Sequence, residues 1–522
     1  MQTDHFDVIV VGAGAAGCVL ADRLTEEPSR SVLVIEAGPD YGPDPSAWPE
    51  NLRDPSDVPA DSHPWGYADS DHADDRQLPL PRARVIGGST TINACTWLRG
   101  SAADYDGWAA QGIEGWSFED LLPYFRRAES DPLGGGLHGT DGPVPVWRAA
   151  AADLSPIDEA FASSAERLGF PVVVDLNGAR DQRPAIGPRP QNVADGIRMN
   201  AAFTYLAQAR TRPNLTVLPN TLVDRILIED DRATGVRAGD GKIHRGTEVV
   251  LAAGAYGSPA ILMRSGIGPE THLRKLGVEV VAHRPGVGEH LLDHPLVIEG
   301  LGEYRVKSSG PAASVRPFLP LMLMARSSRS ETEIDLGVLV GRSFDEELRA
   351  WLVYPMVCLL RSGSEGRVRL TSTDPEATLD IRHSHLTDHT DMEAMCDGVE
   401  LVMDLMRSRP LAESIEAISA GGATTAGRKA LRAWLRTGAG TMFHASGSCR
   451  MTPAADPLGV VDHLGRVHGI GNLRVADASI LPSIPRATIH FPVVAAAEKL
   501  ADAITKPPSS QGPAEPGPIS SV

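Results

Sequence analysis

The run Phe6-Asp7-Val8-Ile9-Val10-Val11 is almost unbroken in apolar, mostly β-branched side chains. That pattern predicts a short strand buried on both faces of a parallel sheet. A helical stretch follows over residues 15–24, and then a second buried strand, Val32-Leu33-Val34-Ile35, which ends at Glu36. The N-terminus therefore predicts a βαβ unit. Strand-like runs return at 215–218, 223–228 and 249–251, and helical spacing marks 391–407 and 427–436. Alternating residues at 351–360 and 366–370 predict a separate antiparallel sheet. Over 117–129, Ser117 followed by Asp120 predicts a capped helix. The stretches 37–90 and 131–143 are dense in Pro, Gly and Asp and predict long connections of the kind that carry function. Residues 300–330 are poorly patterned, and 507–522, rich in Pro, Gly and Ser, predict a disordered tail.

Composition narrows the class. Of 522 residues, 42% are hydrophobic and 22% charged, as in ordinary globular proteins, with room for two to four domains. The 52 Gly and 41 Pro mark many turns but not a low-complexity chain. Acidic residues outnumber basic ones, 67 to 49, for a net charge of −18. General nucleic-acid binding is excluded, because counterion release from phosphates needs clustered cations. Anionic membrane surfaces are disfavoured for the same reason. Cys18, Cys95, Cys358, Cys396 and Cys449 are odd in number and scattered, which points to reduced thiols in a cytoplasm rather than a disulfide framework or zinc ribbon. No stretch approaches the ~18 apolar residues of a membrane span. The N-terminus lacks the basic region of a signal peptide. The apolar 318–324 is read as a buried or lid segment rather than a membrane-contacting lip.

Gly12-Ala13-Gly14-Ala15-Ala16-Gly17 matches G-x-G-x-x-G between the first strand and its helix, the context that a dinucleotide fingerprint requires. Gly12 permits the tight turn, Gly14 lets backbone approach a pyrophosphate, and Gly17 lets the helix pack close. The helix N-terminus faces the phosphates. Glu36, 19 residues after Gly17, is placed to accept from ribose hydroxyls and to repel a 2′-phosphate. The fingerprint does not separate FAD from NAD.

Four further segments, in order, carry that distinction. They are Arg84-Val85-Ile86-Gly87-Gly88-Ser89-Thr90-Thr91-Ile92-Asn93; Gly254-Ala255-Tyr256-Gly257-Ser258-Pro259, continuing to Pro269; Gly286 to Pro295, with Asp293-His294-Pro295; and His444 through Gly447-Ser448-Cys449-Arg450-Met451 to Asp477-Ala478-Ser479. Together they resemble the glucose–methanol–choline (GMC) family of flavin oxidoreductases over residues 5–505. The resemblance implies an α/β fold in which a Rossmann-like FAD-binding domain (1–145, 191–297, 440–506) interleaves with an α+β substrate domain (146–190, 298–439) carrying an antiparallel sheet. It implies FAD as cofactor, with Gly87, Gly88 and Asn93 lining the flavin, Asp477 and Ala478 beside the pyrophosphate and ribityl chain, and Val223 at the adenine. Ala15, Ala16, Ala37, Arg84, Ala94 and Ala253 complete the expected cofactor contacts with Gly12, Gly14, Gly17, Glu36, His490 and Pro492. Some members bind FAD covalently through a His at the position held here by Ile92, so non-covalent FAD is expected.

Oxidising an alcohol removes a hydroxyl proton and transfers a hydride to flavin N5. His444, in Phe443-His444-Ala445-Ser446-Gly447, matches the family's catalytic base, a role suited to a neutral imidazole. The family's second position, usually His or Asn, aligns with Thr488 rather than His490, a departure that leaves both residues as candidates. A helix from Pro492 to Thr505, with Pro492 in its first position, is expected to aim its N-terminus at the flavin and stabilise reduced-flavin charge.

Several other groups are read as structural. His383, His385, Asp388 and His389 look metal-like but match a plain loop of the family, and no metal is expected. Cys449 is read as packing, and Trp97, Trp108 and Trp116 as braces of a cap over the flavin. The segments 142–146, 187–198 and 212–217 are similar to actinobacterial members associated with the redox cofactor mycofactocin, which implies a dehydrogenase passing electrons onward. A natural-product tailoring oxidase is equally compatible. The expected partners are a small-molecule alcohol and an acceptor that is oxygen, a quinone or a redox carrier. A lyase or a photodecarboxylase on the same scaffold is the alternative.

Overall fold

The computed structural model describes residues 5–70, 77–298, 301–307, 319–345, 347–419 and 427–505. The first apolar run forms the strand His5–Val11, paired in parallel with Val32–Ile35 in the register Val8 to Val32 through Val11 to Ile35. The second strand carries Leu215–Leu218 on its outer edge, and the first carries Ile243–Leu251. Beyond Ile243–Leu251 the antiparallel strands Arg232–Ala238 and Val223–Glu229 continue one half of the sheet, and Leu473–Val475 pairs in parallel with the other. Residues far apart in the chain thus close a single seven-stranded sheet among the described residues.

Helix Ala15–Leu24 and the C-terminal helix His490–Thr505 pack beside this sheet. The buried Glu498 joins them. Its carboxylate accepts from Arg23 (2.8 Å) and from the Tyr205 hydroxyl (2.9 Å), and it pairs with Arg127 of helix Phe118–Ala128 (2.7 Å), which donates to its backbone carbonyl. Two guanidinium groups around one buried carboxylate meet the condition under which such a charge is tolerated. Helix Phe118–Ala128 is capped by Ser117 and Asp120, as expected.

A second sheet of eight strands is built on the hairpin Leu336–Asp345 and Ala350–Leu359. Val338, Val353, Val357 and Leu359 face helix His389–Arg407, while Leu339, Met356 and Cys358 belong to a different apolar cluster on the opposite face. The two-residue period of a strand thus serves a helix on one face and a cavity on the other.

Several expectations change. Residues 351–360 and 366–370 enter different sheets. Arg367–Leu370 pairs with Leu379–Arg382, which joins Ala68–Asp69 and Leu78–Pro79 in a four-stranded sheet. The long strand Leu336–Asp345 had no reading, because it is apolar on both faces in its first half and lacks alternation. Leu321–Ala325, by contrast, is a wholly buried strand, in keeping with the buried reading of this segment. The boundary placed after 297 falls beside Pro295–Val297, which pairs with Ala350–Leu359 and with Gly440–Thr441 in the second sheet. The C-terminal helix starts at His490, which moves Pro492 from its first position to its third, where a missing N–H is still among the donors without an intrahelical partner. The 507–522 tail lies outside the described residues. All five cysteines are free and buried. No helix among the described residues is long and apolar enough to cross a membrane.

One buried charge cluster was not anticipated. His138 contacts Glu129 (3.1 Å), Asp131 (3.0 Å) and Asp175 (2.9 Å). Arg148 bridges Asp131 and Asp175 at 2.8 Å each, and Arg99 lies 3.5 Å from Glu129. Three carboxylates balance three cations. Burial alone would lower the His138 pKa, but hydrogen bonds to Asp131, Asp175 and Glu129 outweigh it and push it up to about 10. A raised folded pKa contributes stability that is complete below the ordinary value of 6.5 and is lost as pH climbs to about 10. Thermal unfolding followed from pH 6.5 to 10 will therefore show a falling midpoint. His138→Gln will lower the midpoint at pH 6.5 by the equivalent of about 3–5 kcal/mol and flatten the slope. An unchanged slope in the variant contradicts this account.

Candidate active site

A cavity of about 580 Å³ runs between the two sheets. At one end, Gly12 has φ +98°, and a Cβ there would sit 2.6 Å from the Ala252 carbonyl oxygen. A Cβ on Gly17 would come within 1.9 Å of the Gly12 carbonyl oxygen, so Gly17 packs chiefly against the turn itself. A Cβ on Gly14 would meet nothing within 4 Å. Gly88, at φ +53°, backs onto Gly14, whose Cα would lie 2.8 Å from an added Cβ. The Gly87 N–H donates to the Ala13 carbonyl (2.7 Å) and locks the two turns together.

Glu36 accepts from the N–H groups of Ala13 and Gly38, both at 2.9 Å. Burial raises its carboxyl, and those donors together with Arg84 oppose the rise. Asp477 is likewise buried. It accepts from the Gly254 N–H (2.9 Å), the Ser258 hydroxyl (2.5 Å) and the Ser479 N–H (2.8 Å), so it shapes the backbone around the site. Arg84 pairs with Glu376 at 3.0 Å and lies over the Trp65 ring.

Gly12, Gly14, Ala15, Ala16, Glu36, Ala37, Arg84, Gly88, Asn93, Ala94, Val223, Ala253, Asp477, Ala478, His444, Thr488 and His490 all border this cavity. Gly17, Gly87 and Pro492 do not. The two glycines lie one layer behind, Gly17 against the Gly12 carbonyl and Gly87 in a turn at φ +89° against the Thr91 side chain, and Pro492 is buried in the C-terminal helix.

At the other end, His444 Nδ1 lies 2.8 Å from His294 Nδ1. Two neutral imidazoles in this contact share one hydrogen, so one ring donates and the other accepts. Burial chiefly, and then His294, lower the His444 pKa to about 3; burial also lowers His294 to about 4. Both rings are neutral at physiological pH. Beneath them, Asp293 accepts from the backbone N–H of His444 (2.7 Å) and of His294 (2.8 Å), from the Thr441 hydroxyl, and from His385 (3.2 Å). Burial alone would raise the Asp293 carboxyl, but these bonds and the nearby histidines hold it far below the usual range.

His383 stacks on His385 and contacts the Tyr256 hydroxyl at 2.7 Å. His383 and His385 of the expected plain loop therefore join the network under His444, while Asp388 caps the helix His389–Arg407 and His389 is exposed. No sequence reading placed Asp293, His294, His383 or His385 in the site. The Asp293-His294-Pro295 motif was the available signal for the first two, and only folding brings the second pair to them.

His490 opens the C-terminal helix, with Nδ1 3.4 Å from the Asn93 side-chain amide. Burial lowers its pKa to about 4. The Thr488 hydroxyl donates to the Thr96 carbonyl at 3.2 Å. Cys449 is buried, and burial pushes its thiol well above the usual range, which removes it as a nucleophile. Trp97, Trp108 and Trp116 are buried and none borders the cavity; Trp97 stacks on Phe491 at 4.2 Å and so braces the start of the C-terminal helix.

The cavity fits a dinucleotide. No side chain caps the N-terminus of helix Ala15–Leu24, its first turn holds no acid, and bare Gly14 leaves the approach open, as a diphosphate needs. The first turn of His490–Thr505 also lacks an acid, and His490 and Val493 present that end to the same cavity. A nucleotide cradle joined to a chamber with neutral histidines suits a dinucleotide-dependent oxidoreductase.

Residues 6–296 and 362–497 match GMC oxidoreductase domains, and the chain belongs to the GMC oxidoreductase family. It is 36% identical to oxygen-dependent choline dehydrogenase of Paraburkholderia phytofirmans, over 97% of this chain and 95% of that one. The figures for the Burkholderia multivorans relative are 36%, 97% and 94%. Among solved structures it is similar to pyridoxine 4-oxidase from Mesorbium loti (TM-score 0.87, 30% identity, 96% of this chain and 99% of that one). It is also similar to a formate oxidase of Aspergillus oryzae (TM-score 0.86, 26% identity, 97% and 99%). The protein is an FAD flavoprotein.

Ile92 offers no atom for covalent attachment where some relatives place a His. Acid precipitation of the holoenzyme will therefore leave a colourless pellet and release the flavin to the supernatant; a yellow pellet contradicts this.

Proposed function

We propose that this protein oxidises an alcohol to a carbonyl, with His444 as the base. The observation that carries the reading is the His444–His294 contact at the cavity wall. With its hydrogen on Nδ1, donated to His294, His444 keeps a lone pair on Nε2, the nitrogen left for a substrate hydroxyl. The role of base requires that tautomer, and the Asp293 bond to the His444 backbone N–H (2.7 Å) holds the ring's attachment in place. His294 is thus a positioning residue, not a second base.

The reaction balances as an alcohol yielding its carbonyl, a proton to His444 Nε2, and a hydride from the carbinol carbon. Bound FAD supplies the acceptor for that hydride. Thr488 and His490 hold the substrate oxygen rather than take its proton: a hydroxyl is a poor base, and His490 is engaged with Asn93. The electrons then pass to oxygen, a quinone or another redox carrier, and reoxidation by oxygen against a dye separates oxidase from dehydrogenase.

Anaerobic mixing with an alcohol panel will bleach the bound flavin. His444→Ala will slow bleaching by about 10²–10⁴-fold without reducing FAD content. A variant within tenfold of the native rate removes His444 from the role of base. Product formed without bleaching favours a lyase.

A further inference from the structure

Resting on the reading of His444 as base, we propose that the substrate is a neutral, apolar alcohol, and that the chamber rejects quaternary-ammonium alcohols such as choline. The wall opposite the nucleotide cradle is the second face of the eight-stranded sheet. There Leu339 lies across from Met356, and Gly341 across from Tyr354. Met322 and Leu296 extend this wall from the neighbouring strands, and Met442, two residues before His444, closes it. Side chains of this kind solvate hydrocarbon and offer no charge.

A cationic substrate would need a carboxylate or an open aromatic face, because burying an unpaired charge is far costlier than burying a methyl group. Among the described residues, the carboxylates bordering the cavity are Glu36, Glu376 and Asp477. All three are engaged at the nucleotide end: Glu36 by the N–H groups of Ala13 and Gly38, Glu376 by Arg84, and Asp477 by the Gly254 N–H and Ser258. Asp293 lies under His444, off the wall, with both oxygens occupied.

Most aromatic faces are also taken, and Phe443, beside His444, is a single ring rather than the aromatic cage that a quaternary ammonium needs. Arg84 lies 5.0 Å from the centre of the Trp65 ring and Arg82 5.0 Å from that of Tyr256. The Tyr354 ring rests on Gly341, where an added Cβ would fall 2.1 Å from a ring carbon. Arg82, Arg84, Arg189 and Arg264 border the cavity against those three carboxylates, so its charged side chains offer a cation no net attraction. The same arginines suit a diphosphate.

The test uses a matched pair on the holoenzyme: choline and 3,3-dimethylbutan-1-ol, which differ by a quaternary nitrogen in place of a quaternary carbon. In anaerobic stopped flow, flavin bleaching by the neutral alcohol will exceed that by choline by about 100-fold or more in second-order rate constant. Choline matching or surpassing its carbon analogue overturns the proposal. Binding is read independently of turnover, from the visible flavin spectrum during titration with pinacolone or tetramethylammonium. Pinacolone will perturb the spectrum at millimolar concentration and tetramethylammonium will not. The reverse order, or no response to pinacolone, overturns the proposal. If neither alcohol bleaches the flavin while pinacolone alone binds, the chamber's selectivity stands and the oxidation reading falls.

Discussion

The crossing of two glycine turns, Gly14 against Gly88, is the constraint on which the site depends. A single Cβ at Gly88 would lie 2.8 Å from the Gly14 Cα. With Gly88 bare, backbone packs on backbone, and the Gly87 N–H reaches the Ala13 carbonyl at 2.7 Å. This contact aims the uncapped helix N-terminus into the cavity and fixes the loop that carries Asn93 and Ala94. Oriented backbone and the arginines that border the cavity both offer positive charge to a nucleotide, which reconciles a chain of net charge −18 with a dinucleotide site.

The other end is organised by the opposite device, a buried carboxylate. Asp293 gathers donors from two backbone N–H groups, Thr441 and His385. A carboxylate so satisfied stays ionised when buried, and it fixes the segment on which His444 and His294 meet. Burial then keeps both imidazoles neutral. Glu498 does comparable work behind the cavity by tying the C-terminal helix to Arg23 and Arg127, while Trp97 stacked on Phe491 steadies the first turn of that helix.

Local signals were enough for much of the fold and cofactor end. The strands at 5–11 and 32–35, the helix at 15–24 and the Ser117 cap each depend on residues close in sequence, and each formed as read. The Gly-rich turns were legible because a positive φ or a backbone contact demands glycine. Other elements were not legible, because distant partners decide them. Pro295–Val297 is a strand because Cys358 and Gly440 lie beside it, and Leu336–Asp345 lacked alternation because its two faces meet two different apolar clusters.

By itself, then, the sequence determined the class of this protein: a dinucleotide fingerprint, four ordered motifs, and His444, Thr488 and His490 as candidate groups. The tertiary structure alone decided the chemistry around them. His294 meets His444 across 150 positions, and His385 reaches Asp293 across 92. The row of Leu339, Met356 and Tyr354 becomes a chamber wall only when the sheet turns that face toward the flavin site. The physical reason is the same throughout. Turns and helix caps are satisfied within a few residues, whereas a proton's position, a buried charge's partners and a substrate's surroundings are set by groups that only folding brings into contact.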